Sequence, residues 1–359
     1  MRHRHSEYMQ WAKTQSRARF NLATSGVGPF PLREMPFDFS KLEINGDNTH
    51  GYAPLKNAIA HKHAVDPDCI FTTEGTSMAN YLALATLLEP GDEVLIEQPV
   101  YGLLLDAATY IGAGIKRFAR TEESGWALDP AQVRRALSPN TKLIVVTNLH
   151  NPTSVLTPSS VLCEIADLAA SVGATLLVDE VYLDAVYENT PRTSFHLAGN
   201  VVVTSSLTKV YGVSGLRCGW ILAQPVLVRA MWRLNNLFAA TAAHPAEIIA
   251  AATFENLPIL LNRARKVVDA DRAALDQFLD SQTKVSAVRT EFGTTSFMRL
   301  NEGGADEFLA RLRAEYETSA VPGRFFEAPN HIRIGMGVNH EMFVEGVRRL
   351  GQALANWVG

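Results

Sequence analysis

The sequence predicts an α/β protein with a large domain, built on a mainly parallel sheet between helices, and a smaller α+β domain. From about residue 41 to residue 243, short apolar runs alternate with helical patterns, which is typical of strands joined by crossover helices. Beyond Pro245 this alternation stops and a long helical stretch begins. The length of 359 residues exceeds the size at which a single core usually stops growing. We therefore assign residues 41–245 to the large domain, and residues 1–40 together with 246–359 to the small domain.

Four apolar runs in the large domain have the composition of buried strands. They span residues 94–97, 143–147, 175–179 and 201–204. The polar or charged residues that stand at the ends of these runs are Gln98, Asn148, Asp179 and Ser205. In an open α/β sheet the carboxyl ends of the strands form the ligand crevice. We therefore expect these four residues to converge on one site.

The small domain is predicted from the pattern beyond Pro245. Apolar residues recur at helical spacing through residue 281. Strands are then predicted over residues 284–288, 295–300 and 331–335, and helices over residues 305–316 and 341–357. No stretch rich in Gly, Ser or Pro divides the two domains, so a long helix is expected to join them.

Composition and charge limit the classes of partner. Apolar residues make up 47% of the chain and charged residues 19%, which supports packed cores rather than disorder. Thirty-three Lys and Arg against 37 Asp and Glu give a formal charge of −4, so the chain has no general attraction for nucleic acid or for anionic membranes. We predict small-molecule partners and association with a second copy of the chain.

The cysteines and the N-terminal segment indicate the compartment. Cys69, Cys163 and Cys218 are odd in number and lack the spacing of metal ligands, so neither a disulfide framework nor a metal site is predicted. Residues 10–19 are too polar for the apolar core of a signal peptide, and no long apolar span follows. A cytoplasmic enzyme is the expectation.

Lys209 carries the strongest chemical signal in the sequence. Small hydroxyl residues precede it at Ser206 and Thr208, and Arg217 follows eight positions later. This pattern suits an amine that bonds to an aldehyde beside a captured phosphate, which describes pyridoxal phosphate. The alternative is a strand-to-helix turn whose lysine points into water.

Further motifs occur on both sides of Lys209. In chain order they are Glu74-Gly75-Thr76-Ser77, Asn151-Pro152-Thr153, Asp179-Glu180-Val181-Tyr182, Ser206-x-x-Lys209, Arg217 and His331-Ile332-Arg333-Ile334. As a set, these motifs resemble those of the fold type I aminotransferases of class I/II, over roughly residues 51–336. The resemblance implies pyridoxal 5′-phosphate as the cofactor and a homodimer whose active sites lie at the subunit interface.

The resemblance implies a role for each residue around the cofactor ring. Lys209 would form a Schiff base with the coenzyme aldehyde and later move a proton between Cα and C4′. Asp179 would hold the protonated pyridine nitrogen, although an Asp here can instead cap the next helix. Asn151 and Tyr182 would donate hydrogen bonds to the phenolic oxygen, and Tyr101 would stack on the ring. The alternatives are an Asx turn at Asn151 and ordinary core packing for both tyrosines.

A second group of residues is implied to bind the phosphate. Its members are Gly75, Thr76, Ser77, Ser206, Thr208 and Arg217. The first three lie between a short apolar run and a helical segment, so their N–H groups and hydroxyls would stand at a helix N-terminus, where anions bind. The guanidinium of Arg217 would face two phosphate oxygens. A plain N-cap would need only one of these residues.

Arg333, Gly26 and Asn151 are the residues implied to bind the substrate. Arg333 would hold the α-carboxylate through its two-pronged guanidinium, which a lysine could not reproduce. Gly26 lies in the segment 25–28, which resembles the loop that closes over substrate in this family. The alternative for Arg333 is a surface arginine on an edge strand.

Two positions depart from the family's pattern. Ser154 stands where a glycine commonly follows Asn-Pro-Thr, which leaves the geometry of the local turn open. Residues 47–50 occupy the place where many relatives carry a tyrosine that reaches the partner's phosphate. His50 and Tyr52 are the candidate substitutes.

The resemblance implies transfer of an amino group between an L-amino acid and a 2-oxo acid. The alternative is another reaction on the same scaffold by a lyase, a decarboxylase or a cyclase similar to capreomycidine synthase, whose branch the Gly26 loop and residues 321–326 resemble. A non-catalytic module that binds pyridoxal phosphate is a further alternative. A nicotinamide-dependent oxidoreductase is not supported, because no Gly-x-Gly-x-x-Gly follows the first strand-like segment.

Overall fold

The structure is a computed structural model that describes residues 5–358. The first four residues and the last one, which belong to the predicted small domain, lie outside the described residues. The strands are β1 (Phe20–Asn21), β2 (Ile70–Glu74), β3 (Glu93–Gln98), β4 (Gly114–Ala119), β5 (Thr141–Thr147), β6 (Thr175–Asp179), β7 (Val201–Ser206), β8 (Cys218–Leu222), β9 (Val285–Ala287), β10 (Thr295–Leu300), β11 (Thr318–Ser319), β12 (Val321–Pro322) and β13 (His331–Gly335). The helices are α1 (Glu7–Thr14), α2 (Ala53–His63), α3 (Thr76–Leu87), α4 (Gly102–Ile111), α5 (Pro130–Ala136), α6 (Ser159–Ser171), α7 (Pro225–Asn235), α8 (His244–Glu255), α9 (Leu257–Asp280), α10 (Ala305–Tyr316) and α11 (His340–Ala355).

A seven-stranded sheet forms the centre of the large region, in the order β2-β8-β7-β6-β5-β3-β4. The strands from β3 to β7 pair in parallel, and only β8 runs antiparallel to its two neighbours. The predicted α/β fold with a mainly parallel sheet is therefore confirmed. All four predicted strands lie in this sheet, as β3, β5, β6 and β7.

Both faces of this sheet are covered by apolar layers, which explains why its strands are continuous apolar runs. Successive side chains of a strand point to opposite faces. Ile144 and Leu176 therefore pack in one layer, while Val145 and Leu177 pack in the other. All four side chains are fully buried.

The small region contains a four-stranded antiparallel sheet in the order β12-β13-β10-β9. The helices α10 and α11 pack against it around Phe308, Phe343 and Leu350. The predicted strand 295–300 and helix 305–316 have the observed bounds. The helical stretch through residue 281 is divided into α8 and α9, because Pro258 lacks the N–H that would continue a helix and stands instead in the first turn of α9.

The helix α9 joins the two regions. Its first turns place Leu257 and Leu260 in the apolar core of the large region, and its last turns place Leu275 and Phe278 in that of the small one. The domain boundary at residue 245 stays a prediction. No helix within residues 5–358 is long and apolar enough to cross a membrane.

Candidate active site

A cavity of about 360 Å³ opens at the carboxyl edge of β5, β6 and β7. Thr147, Asp179 and Lys209, which stand at or beyond the ends of these strands, all line it. The sequence-predicted residues in its wall are Gly26, Thr76, Ser77, Tyr101, Asn151, Asp179, Tyr182, Thr208, Lys209 and Arg217. The other three lie next to this wall: Ser206 is hydrogen-bonded to Thr76 and Arg333 to Asn151, and the Cβ position of Gly75 lies 2.5 Å from Arg217 Nη2.

Lys209 lies in the turn after β7 with its amine at the cavity wall. Its Nζ donates a hydrogen bond to Ser25 Oγ at 3.0 Å, and the Tyr182 hydroxyl donates to the same oxygen at 2.9 Å. The backbone N–H of Val27 donates to the Lys209 carbonyl at 2.8 Å. A side chain at Gly26 would meet that carbonyl at 3.1 Å, so the close approach of this segment depends on glycine. The solvated turn is thereby excluded for Lys209.

Asp179 ends β6 and is buried, with 4% of its surface exposed. Asn80 Nδ2 donates to Oδ2 at 2.8 Å, and the Val181 N–H donates to Oδ1 at 3.0 Å. Burial raises the pKa of this carboxyl to about 6, against the opposing effects of these two hydrogen bonds and of Lys209. Among the described residues, no cation is hydrogen-bonded to the carboxylate. A protonated pyridine nitrogen is the partner that such a site would accept.

The phosphate residues form a cup at the N-terminus of α3. Thr76 Oγ1 donates to Ser206 Oγ at 2.7 Å, and Ser206 Oγ lies 2.6 Å from Thr208 Oγ1. Gly75 precedes the helix with a φ of 85°, and a Cβ there would lie 2.5 Å from Arg217 Nη2. That nitrogen donates to the carbonyl of residue 74 at 3.1 Å. Hydroxyls, helix N–H groups and a guanidinium therefore surround one position, which fits a phosphate.

Arg333 is buried in the small region, with 1% of its surface exposed. Its strand β13 lies between β12 and β10, so the edge-strand alternative is wrong. The guanidinium donates to the Tyr8 hydroxyl at 3.1 Å, to Asn151 Oδ1 at 3.3 Å and to the Ala23 carbonyl at 3.3 Å. All three acceptors are uncharged, and no carboxylate pairs with Arg333 in the described part of the chain. A buried cation with neutral partners suits the binding of a carboxylate.

The surroundings of Asn151 and its neighbours answer two open questions. Asn151 Oδ1 accepts from Arg333 rather than from its own backbone, so the Asx turn is not formed. Ser154 takes a φ of 63°, the left-handed conformation that favours glycine. Its Oγ donates to the Thr295 carbonyl at 2.9 Å, which holds the serine in that turn.

The expected convergence of four strand ends is wrong for three of them. Asp179 lines the cavity, whereas Gln98, Asn148 and Ser205 do not. Asn148 exchanges hydrogen bonds with the backbone of Thr157 instead. For Asn148 and Ser205 the reason is the alternation of side chains, which turns Thr147 and Ser206 toward the site in place of their neighbours. Gln98 ends β3, which lies on the far side of β5 from β6 and β7.

Sequence reasoning missed Asn80, Ser25 and Tyr8. Asn80 follows Thr76 by one helical turn, so its position on the same face of α3 was available from the sequence. Thr204 Oγ1 donates to Asn80 Oδ1 at 2.6 Å and so orients the amide toward Asp179. Ser25 lies in the segment 25–28 already singled out, but no role was predicted for its hydroxyl, and Tyr8 lies in no motif; their partners are 184 and 325 residues away along the chain.

The segment proposed to reach a partner's phosphate packs on the chain itself. The His50 ring lies 4.9 Å from the Trp232 ring, and the Tyr52 ring lies 5.1 Å from that of His244. Contact of either residue with a partner stays a prediction.

An amine and a buried acid in the wall of one cavity, together with an anion cup at the edge of a mainly parallel sheet, fit pyridoxal phosphate. Fold and site thus define a pyridoxal phosphate enzyme of fold type I. The family model described as "Aminotransferase class I and II" matches residues 43–350. The chain belongs to this family, and it is an enzyme that transfers amino groups with pyridoxal 5′-phosphate as its cofactor.

Known proteins similar to the chain include capreomycidine synthase from Streptomyces vinaceus, which is 28% identical over 94% of this chain and 90% of that protein. An aspartate aminotransferase from Streptomyces avermitilis is 25% identical over 92% of this chain and 88% of its own length. The structure is also similar to the crystal structure of a pyridoxal phosphate (PLP)-dependent aminotransferase from Streptococcus suis. The two superpose with a TM-score of 0.94 at 26% identity, and the match covers 100% of each chain.

Proposed function

We propose that Lys209 is the residue that carries the cofactor and moves the proton in this aminotransferase. Bound pyridoxal phosphate supplies an aldehyde carbon for a covalent bond and an electron-withdrawing ring. The observation that carries the proposal is the shared cavity, in which Lys209 and Asp179 both lie in the wall beside the cup formed by Thr76, Thr208 and Arg217. Asp179 keeps the ring nitrogen protonated, and the cup fixes the phosphate.

Arg333 is the residue that binds the substrate in this proposal. Its guanidinium binds the α-carboxylate, and Asn151 and Tyr8 keep it in place through their oxygen atoms. With the carboxylate held there, the Cα of the amino acid lies toward Lys209, whose released amine takes the Cα proton and returns it at C4′. Ser25 holds the free amine and the Tyr182 hydroxyl in a common arrangement before the reaction.

The experiment is a reaction of the cofactor-loaded enzyme with single amino acids, followed by absorbance. Without an added 2-oxo acid, an aminotransferase stops after the first half-reaction, which releases one 2-oxo acid per site and leaves the cofactor in the amino form. Addition of 2-oxoglutarate or pyruvate then restores the aldehyde form. Continuous release of product without any oxo acid would contradict transamination and favour a lyase, a decarboxylase or a cyclase, the last being the class to which capreomycidine synthase belongs.

We further propose that the enzyme is a cytoplasmic homodimer active in amino acid metabolism. Support for the dimer comes from the loop between α7 and α8, where Leu237 is 76% exposed and Phe238 is 53% exposed. This loop lies near residues 47–50, since Asn48 Nδ2 donates to the Ala242 carbonyl at 3.3 Å. An exposed apolar patch beside that segment is suited to contact with a second subunit.

A further inference from the structure

Tyr211 and Asp184 are joined by a hydrogen bond just outside the cavity. Tyr211 follows Lys209 by two positions in the chain, and Asp184 follows Tyr182 by two. The Tyr211 hydroxyl donates to Asp184 Oδ2; both residues are largely buried, and neither lines the cavity. The bond therefore connects the segment that carries the amine to the segment that carries the Tyr182 hydroxyl.

The turn that carries Lys209 lies between β7 and the next helical turn, outside any helix or strand. The carbonyls of Lys209 and Gly212 accept hydrogen bonds from the N–H groups of Val27 and Phe30, at 2.8 and 2.7 Å. Both donors belong to the N-terminal segment of the chain. The Tyr211 hydroxyl bonds to a different part of the chain, so two independent segments hold the turn. Such bonds fix its orientation, which apolar burial alone does not, because apolar contact is not directional.

The two segments are linked a second time inside the cavity. There Lys209 Nζ and the Tyr182 hydroxyl both donate to Ser25 Oγ. That link uses the reacting amine itself, so it changes whenever the amine forms or breaks a bond. The bond between Tyr211 and Asp184 involves no reacting atom and stays in place. It is therefore the link that can keep the two segments in register while the amine reacts.

Lys62 keeps the Asp184 carboxylate charged. Its Nζ donates to Oδ1 at 2.8 Å, so both oxygens of the carboxylate have a donor. Burial raises the pKa of Asp184, but Lys62 and the two hydrogen bonds outweigh burial, so the pKa is lowered overall. Burial and the nearby carboxylate hold the pKa of Tyr211 well above its usual value, so the phenol keeps its proton. A neutral hydroxyl thus donates to a carboxylate, and such a bond is stronger than one between two neutral groups.

We propose that Asp184 and Tyr211 are positioning residues for Lys209, and that their hydrogen bond holds the turn after β7 so that the free amine points at the aldehyde carbon of the cofactor. The inference rests on the proposed function, because Lys209 must be the residue that carries the cofactor. In the covalent step the neutral amine bonds to the aldehyde carbon, and the carbonyl oxygen leaves as water with the two amine protons. The rate of this step depends on how often the amine lies within reach of that carbon.

The rate of Schiff base formation tests the inference. Cofactor-free protein is mixed with pyridoxal phosphate, and the concentration dependence of the absorbance change separates initial binding from first-order bond formation. Tyr211→Phe keeps the buried ring and removes only the hydroxyl, so we expect the first-order rate constant to fall by about 10-fold.

A second variant tests the acceptor of the same bond. Asp184→Asn has a single acceptor oxygen on its amide for both Lys62 and Tyr211, so it should lower the rate constant too. The double variant should be no slower than the slower of the two single variants, because both changes act on one bond.

Two measurements separate positioning from general destabilisation. Pyridoxine 5′-phosphate has an alcohol in place of the aldehyde and binds without a covalent bond, so its dissociation constant should be the same in the variants and in the wild type. Thr141→Val removes a buried hydroxyl that donates to Glu93 at the opposite end of β5 from the cavity. This control should lower the melting temperature without changing the rate constant.

An unchanged rate constant in Tyr211→Phe, an equal fall in Thr141→Val, or a double variant slower than either single one would overturn the inference. So would a loss of affinity for pyridoxine phosphate as large as the fall in rate, because it would place the effect in the phosphate cup. A wild type that forms no Schiff base at Lys209 would refute the proposed function and this inference with it. Normal Schiff base formation in the wild type and in every variant would refute this inference alone.

Discussion

Asp179 illustrates how one buried residue links stability to chemistry. Its carboxyl has a pKa raised to about 6 by burial, so without the cofactor its charged form is disfavoured. Between about pH 4 and pH 6 the folded protein binds more protons at this site than the unfolded chain. Stability therefore falls as the pH rises through this range. The site is destabilised until a cation neutralises the acid.

Asp179→Asn should remove this loss of stability. For the cofactor-free protein, the difference in free energy of unfolding between the variant and the wild type should grow from pH 4 to pH 6 by up to about 3 kcal/mol and then level off. Urea unfolding across this range measures it. Glu180, whose pKa burial raises to about 7, contributes equally to both proteins. A difference that does not vary with pH would show that Asp179 does not titrate as described.

Arg333→Lys should raise KM for amino acids by about 10- to 100-fold, because a lysine loses the paired hydrogen bonds of the guanidinium to a carboxylate. The affinity for pyridoxal phosphate should stay unchanged, since Arg333 lies outside the phosphate cup. Steady-state kinetics and a cofactor titration give the two values. Arg299→Lys, an exposed change on β10 beside β13, serves as the control. Equal losses in both measurements would indicate a structural arginine.

The N-terminus of α3 is the element that builds the phosphate cup. Its geometry depends on Gly75, which combines a positive φ with a close approach to Arg217. Gly91, in the turn after α3, has a similar φ of 95° but no neighbour within 4 Å of its Cβ position. A substitution at either glycine therefore strains the backbone, but only a substitution at Gly75 also crowds a neighbour.

Gly75→Ala should weaken the binding of pyridoxal phosphate by about 10-fold or more, because the new methyl group displaces the Arg217 guanidinium. Both substitutions place an alanine at a positive φ, so Gly91→Ala should lower the melting temperature about as much as Gly75→Ala does. Gly91→Ala should leave the affinity for the cofactor unchanged. A titration of each apoprotein with the cofactor, together with its melting temperature, distinguishes the two. Equal affinities in the two variants would contradict the role of Arg217.

The elements also show what the sequence could predict. The bounds of β6, β10 and α10 followed from the patterns of apolar residues: β6 is a continuous apolar run because both faces of its sheet are covered, and α10 repeats apolar residues at helical spacing because it buries one face. Lys209 and Asp179 followed from motifs, because the residues that define each motif are close in the chain. The contact of Ser25 with Lys209 and that of Tyr8 with Arg333 could not be predicted, because they form through tertiary packing alone. The predicted run 143–147 already ended where β5 ends, so the choice between Thr147 and Asn148 depended on knowing which face of the sheet carries the site.

At the scale of the whole molecule, the small region supplies Arg333 and the large region supplies Lys209. Both are needed around one substrate, so the packing of the two regions through α9 sets the distance between the carboxylate anchor and the reacting amine. The proposed dimer adds a second level of organisation, with the patch around Leu237 and Phe238 as its contact.

A double variant, Leu237→Asp with Phe238→Asp, should convert the dimer to a monomer, because two carboxylates would be desolvated at the contact. Sedimentation velocity at micromolar concentration measures the change. Val344→Asp introduces a charge at an exposed apolar residue of α11 and should leave the dimer intact. A monomeric wild type, or a double variant that still dimerises, would contradict this assignment of the interface.

The identity of the residue that bonds to the cofactor tests the account most directly. The enzyme is loaded with pyridoxal phosphate, reduced with borohydride and digested, and the modified peptide is identified by mass spectrometry. We expect the adduct on Lys209 alone, and none on a folded Lys209→Ala variant treated in the same way. An adduct on another lysine, or one that persists in the variant, would contradict the account.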